Sequence, residues 1–179
     1  MKSSFASLLL IALSTKPSGI CRQVYGMNPF PEYAVIAEHL KQHTRPDEKI
    51  AVLGSEPAIY FLADRRPATP YLCIYEAMKP HAFAGAMQKE VIRCLEQSSP
   101  RALVFVEVPT SWGSTPQSDP TLLQWLKVFI PEHYRLDGVV DLISESKIVI
   151  RWGDAAREYR PESPYRVWIF LRKNEAGLP

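Results

Sequence analysis

Glu56 sits two residues past Gly54, where the apolar run Ile50-Ala51-Val52-Leu53 gives way to Gly54-Ser55-Glu56-Pro57. Ser55 is placed to cap the following helix and Pro57 falls in its first turn. A carboxylate at a helix start is favoured in its charged form by the macrodipole, which lowers its pKa. That suits hydrogen bonding or cation binding more than general-acid work, and a purely stabilising carboxylate reads the same way. Arg65 and Arg66 are the sharpest cationic feature, with Tyr71 and Tyr75 close behind them in sequence. Paired guanidiniums can grip a phosphate or carboxylate bidentately, or one can pair with Asp64 or Glu76 while the other stays in solvent. Ser111-Trp112 follows the apolar run of residues 102–108, close to the end of residues 50–53 if the two strands are neighbours. A tryptophan there can stack on a sugar, dock on a partner, or plug the edge of the core. These eight residues are the candidate ligand contacts, and none of them is assigned a catalytic role.

Other chemistries leave no pattern. Glycine-rich phosphate loops of either common type are absent, as are H-E-x-x-H, G-x-S-x-G and a D-x-D pair. His39 and His43 stand at i, i+4, which can chelate a metal from one helix face, yet no third ligand is evident in the sequence. The reading is therefore of no metal and no cofactor. Cys21, Cys73 and Cys94 are an odd count with no C-x-x-C. Cys94 shares a helical stripe with Val91 and Leu95, and Cys73 falls in an expected strand, so both read as small core residues.

Positioning these side chains requires an alternation of strands and helices. Residues 50–53, 71–75 and 102–108 read as strands, the last apolar apart from Glu107, as for a strand covered on both faces. Between them, residues 82–97 give a clear amphipathic helix, with Ala84, Met87, Val91, Cys94 and Leu95 inward. Gln88, Lys89, Glu90, Arg93 and Glu96 fall largely toward water. Tyr33, Ile36, Ala37 and Leu40 mark an earlier helix, and Leu122, Trp125, Leu126 and Phe129 mark a later one, started by Asp119-Pro120 and stopped by Pro131. Residues 139–143, 147–152 and 166–171 read as strands of a hairpin-rich antiparallel edge. The expected fold class is α/β: a Rossmann-like three-layer core with a parallel sheet and an antiparallel C-terminal extension.

The chain has 179 residues, 46% hydrophobic and 22% charged, and this length suits one domain with a sizeable core. A formal charge of +2, with no basic block, argues against nucleic acid as a partner. Residues 1–24 read as leader and linker, and residues 25–175 as a single α/β domain; the Pro-, Gly- and Ser-rich stretch 14–31 is the linker proper. Residues 5–13 are apolar behind Lys2 and resemble a short secretory signal peptide, far below the ~20 residues that cross a bilayer. A reading frame cut from a longer one and a plain leader remain open beside it.

Read in order, Asn28-Pro29-Phe30-Pro31-Glu32, Gly54-Ser55-Glu56-Pro57-Ala58-Ile59-Tyr60-Phe61, Arg65-Arg66-Pro67-Ala68-Thr69 and Ser111-Trp112 resemble one family. It is the extracytoplasmic C-terminal domain of bacterial membrane glycosyltransferases related to glycosyltransferase family 39, the protein mannosyltransferase type. The likeness covers residues 25–112, with Cys73 standing where an aromatic is expected. In such enzymes sugar moves from a polyprenyl-phosphate donor on the outer face of the membrane, and the catalytic carboxylate lies in membrane helices that this chain lacks. The resemblance implies a periplasmic, membrane-attached accessory domain that positions acceptor or donor headgroup beside the transferase helices and does not catalyse alone. The alternative is a stand-alone secreted or periplasmic binding protein for a sugar or phosphosugar, with Glu56, Arg65, Arg66 and Trp112 lining its pocket.

Overall fold

The two strongest apolar runs become strands β1 (Ile50–Leu53) and β2 (Ala102–Glu107), paired in parallel with Ile50 opposite Ala102 and Leu53 opposite Phe105. A computed structural model describes residues 17–173 of the chain. The leader reading of residues 1–16 lies outside the described residues. Three further strands are β3 (Tyr134–Leu142), β4 (Ile148–Trp152) and β5 (Arg166–Arg172), and the sheet runs β1-β2-β5-β3-β4. Every pairing beyond β1–β2 is antiparallel. The protein is thus a mixed α/β fold on an open five-stranded sheet with one parallel pair, which corrects the expectation of a parallel core.

Two differences produce that correction. The last strand in the chain does not add to an outer edge: β5 inserts between β2 and β3, so the antiparallel part grows directly from β2. Residues 71–75 do not form a strand. Pro67 and Pro70 lead into the segment and lack ladder donors, and one isolated bridge joins Ile50 to Pro67. The segment passes as a loop, held by the Ile74 amide on the Gly54 carbonyl (3.0 Å), into the short helix Tyr75–Met78. Cys73, expected inside, is consequently exposed.

Seven helices are described: α1 (Pro17–Tyr25), α2 (Tyr33–His43), α3 (Ala58–Ala63), α4 (Tyr75–Met78), α5 (Ala84–Ser98), α6 (Thr121–His133) and α7 (Asp154–Glu158). Alternating strand residues feed two cores on opposite sheet faces. Ile50, Val52, Val104, Val106 and Ile169 pack with Ile36 and Leu40 of α2 and Ile59 of α3. Ala51, Leu53 and Leu103 pack with Met78, Val91 and Leu95 and with Leu122 and Leu126 of α6. Period-two alternation therefore holds, with both faces apolar and covered.

Three local expectations change. Gln88 is fully buried, not solvated: its amide donates to the carbonyls of Ala77 (2.8 Å) and Asp119 (2.9 Å) and accepts from the Leu122 amide (2.8 Å). It thereby ties α4, α5 and the start of α6, supplying partners that buried backbone groups need. Helix α6 continues through Pro131 to His133. Residues 17–25, read as linker, are helical, and Arg22 anchors them by a buried ion pair to Glu32 at 2.6 Å and bonds to the carbonyls of Gly26 and Asn28.

Candidate functional site

At the carboxyl ends of β1 and β2 the structure brings Glu56 and Ser111 together. Gly54 ends β1 and the chain turns at once, so Glu56 folds back over the strand end beside Val106. A Cβ at Gly54 would overlap Glu56 Oε2 and stand 3.0 Å from the Val106 Cβ, so only glycine fits this approach. From β2, Val108 leads into a 3-10 turn, Pro109–Ser111, whose last hydroxyl donates to Glu56 Oε1. Both residues are buried, Glu56 at 3% exposure. Its second oxygen, Oε2, is buried without a hydrogen-bond partner among the described residues, as is Ser55 Oγ.

The electrostatics reverse the sequence expectation for Glu56. Burial pushes its carboxyl up to about 7, against the opposing bonds from Ser111 and the Ser55 backbone. The helix that was to lower it starts only at Ala58, with Pro57 at the cap position, so Ser55 caps nothing; α3 is also just six residues long. Desolvation wins because a short, distant dipole cannot offset the loss of water. Glu56 is a carboxyl poised near neutrality, able to hold or accept a proton, with one oxygen unengaged.

The other candidates separate. Tyr75 joins this end of the sheet: its hydroxyl donates to the Thr110 carbonyl, and its ring lies so close to Gly113 that a Cβ there would overlap it. Arg65 lies at the opposite end of β1. Its guanidinium binds Thr44 Oγ1 (2.8 Å) and the Thr44 carbonyl (2.7 Å) at the end of α2, clamping α2 to the turn after α3. Arg66 is at that same end, since its carbonyl accepts from the first β1 amide at Ile50, and its side chain is exposed. Tyr71 turns to α5 and donates to Glu90 Oε2 at 2.5 Å. Glu56, Arg65, Arg66 and Trp112 consequently do not share a pocket.

Trp112 is buried, its indole donating to the Val106 carbonyl at 2.6 Å, and it faces the other side of the sheet. There it helps line a groove of ≈ 880 Å³ between α6 and strands β2, β5 and β3. Phe105, Trp168 and Phe170 form its floor, and Leu126 and Ile130 of α6 form one wall. At one end Glu107 accepts from the Trp168 indole (2.8 Å) and pairs with Arg166 (2.8 Å), and exposed Lys127 stands on the α6 side. A mostly apolar hollow of this size with a few charged groups at its margin is the usual form of a small-ligand site.

Sequence reasoning singled out Trp112 but missed the rest of the groove. Phe105, Trp168 and Phe170 read as strand residues, and only the insertion of β5 beside β2 sets them in one row. Among the described residues, the one grouping with metal-ligand types within reach of each other is His39, His43 and Asp137, on α2 and β3. No protein-family model matches the chain, and neither does any curated protein or solved structure.

Proposed function

We propose that this chain is an extracytoplasmic accessory domain of a lipid-linked-sugar-dependent membrane glycosyltransferase, holding the donor beside the membrane active site and not catalysing alone. The observation that carries it is the apolar groove under α6. Its aromatic floor suits a branched prenyl chain, and Lys127 and the Arg166–Glu107 pair at its margin suit the adjoining phosphate and sugar. Residues 25–112 supply the family resemblance, and Trp112 belongs to both. Among the described residues no helix is long and apolar enough to cross a membrane. Titration of the purified chain with farnesyl phosphate tests the reading. Saturable change in tryptophan fluorescence is expected, weakened by Trp168→Ala and not reproduced by inorganic phosphate. No response at any prenyl phosphate concentration below its micelle-forming range would sink it.

A second reading has its own observation. The orphaned Glu56 Oε2 and Ser55 Oγ are polar groups that a small ligand's hydroxyls would satisfy. On that reading the chain binds a sugar or phosphosugar in its own right, and Glu56→Gln removes the binding while leaving prenyl phosphate uptake intact.

A further inference from the structure

The i, i+4 histidines of α2 acquire in the fold the partner that the sequence lacks. His39 and His43 project toward β3, where pairing slips between Leu136, opposite Phe170, and Gly138, opposite Ile169. Asp137 is the extra residue of this bulge, and bulges re-aim a side chain out of the normal alternation. Its carboxylate meets His39, with Oδ2 at 2.9 Å from Nε2, and the pair is buried. Ligand atoms of all three residues lie within 4.8 Å of one another.

The surroundings orient these groups as the outer shell of a metal site does. His43 Nδ1 donates to the His39 carbonyl at 2.8 Å, which leaves Nε2 with its lone pair free to ligate. The His39 ring is held flat between Trp152 (3.9 Å) and His43 (4.0 Å). The Gly153 amide bonds the Asp137 carbonyl at 2.8 Å and fixes the bulge. Arg135 approaches the other carboxylate oxygen, Oδ1, at 3.9 Å and leaves Oδ2 to His39. Beside exposed His43, the cluster's one ligand on the surface, lies a polar hollow of ≈ 550 Å³, also lined by Thr44, Arg45, Glu48, Arg101 and Arg135.

We infer that His39, His43 and Asp137 form a binding site for a divalent first-row metal ion, Zn²⁺ foremost, with a fourth position left to water. Two imidazoles and a carboxylate are a donor set that Zn²⁺ takes readily, at bonds of roughly 2.0–2.2 Å. The ion replaces the proton shared between His39 and Asp137, and the exposed His43 side chain must turn off its stack on His39 and its bond to the His39 carbonyl to bring a ring nitrogen to the ion. Bound metal would pin α2 to the bulge of β3. The site does not depend on the groove or on the glycosyltransferase reading.

The test uses the full chain, stripped with chelator and titrated with Zn²⁺ against a chromophoric competitor. One Zn²⁺ per chain is expected, with affinity lowered at least ~10-fold by His43→Gln. His43 is exposed, so this substitution leaves the fold in place, and a thermal melt without metal confirms it. Asp137→Asn should weaken binding likewise. Co²⁺ in place of Zn²⁺ should show visible bands without thiolate charge transfer, which excludes Cys21, Cys73 and Cys94 as the ligands. Equal affinity in wild type and His43→Gln, no binding at all, or a thiolate spectrum would each overturn the site.

Discussion

The two faces of the sheet are built on opposite terms. Under α2 and α3 the chain closes over charge: Glu56, His39 and Asp137 are buried there, and Arg22–Glu32 seals the adjoining turn that carries Met27 onto the same core. Under α4, α5 and α6 the core is apolar, Gln88 is satisfied by backbone, and an aromatic groove remains open. Burying ionisable groups requires fixed partners, since each unpartnered one costs several kcal/mol. Leaving apolar surface open requires nothing from the fold but offers area to a ligand. The closed face is therefore where substitutions should change stability, in either direction, and the open face where they should alter binding and little else.

The largest effect is expected at Arg22. Removing one partner of a buried ion pair strands the other, so Arg22→Ala should destabilise by about 3 to 5 kcal/mol. Replacing Arg22 and Glu32 together by leucine should cost less than the single change, because no charge is left behind. Urea unfolding of the three chains measures both. A loss below about 1 kcal/mol in Arg22→Ala would show that α1 is not part of the closed face.

Glu56 comes next and gives the closed face a pH signature. Its carboxyl titrates near 4.5 in an exposed chain and is pushed up to about 7 by burial in the fold. Below pH 4.5 the group is protonated in both states and costs nothing. As pH rises from 4.5 to 7 the unfolded chain ionises first, so stability falls, by about 3 kcal/mol, and levels off above 7. Glu56→Gln keeps an acceptor for Ser111 and has no charge to bury. The variant should match wild type at pH 4 and exceed it at pH 8 by a similar amount. Parallel pH profiles for the two chains would show that Glu56 has water access and that this face is less closed than its geometry states.

Much of this architecture was legible in local pattern. The apolar runs of β1 and β2, the stripe of α5 and the helix carrying Tyr33, Ile36 and Leu40 follow from periodicity, because burial of a face is written at period two or 3.6. The proximity of Ser111 to the end of β1 also followed once the strands were neighbours. What could not be read was long-range order in the sheet. Nothing local in Arg166-Val167-Trp168-Ile169-Phe170-Leu171 distinguishes an inner strand from an outer one, so the insertion of β5, and with it the groove, stayed hidden. Asp137 illustrates the same limit. It is 98 residues from His39 and reaches it only through a bulge, a feature set by register and not by composition. Gln88 misled because its helix position is polar by type, whereas its burial is decided by three backbone groups from other segments.

Gly138 tests how tightly the closed face is built around that bulge. A Cβ there would overlap the Trp152 ring and stand 3.2 Å from the Ile169 Cβ, so Gly138→Ala must push Trp152 off its stack on His39. Overpacking of this kind costs about 1 to 3 kcal/mol. Near-ultraviolet circular dichroism should change with the displaced indole, and Zn²⁺ affinity should fall with the disturbed His39. A variant as stable as wild type with an unchanged tryptophan signal would mean that Trp152 moves freely, and that β4 is an adaptable edge and not part of the closed wall.

The smallest effect on stability belongs to the open face. Lys127 is exposed on α6 at the margin of the groove, and no salt bridge within the chain holds it among the described residues. Lys127→Glu should leave unfolding free energy within about 0.5 kcal/mol of wild type. Its effect should fall on prenyl phosphate, whose charge it reverses from attraction to repulsion, weakening binding roughly two- to five-fold at low salt. Because the two charges interact through solvent, the difference should shrink as ionic strength rises. An uncharged prenol should bind both chains equally, since the aromatic floor is untouched. If Lys127→Glu instead weakens the prenol as much as the phosphate, α6 itself has moved, and the groove owes its shape to that helix surface more than to the strands beneath it.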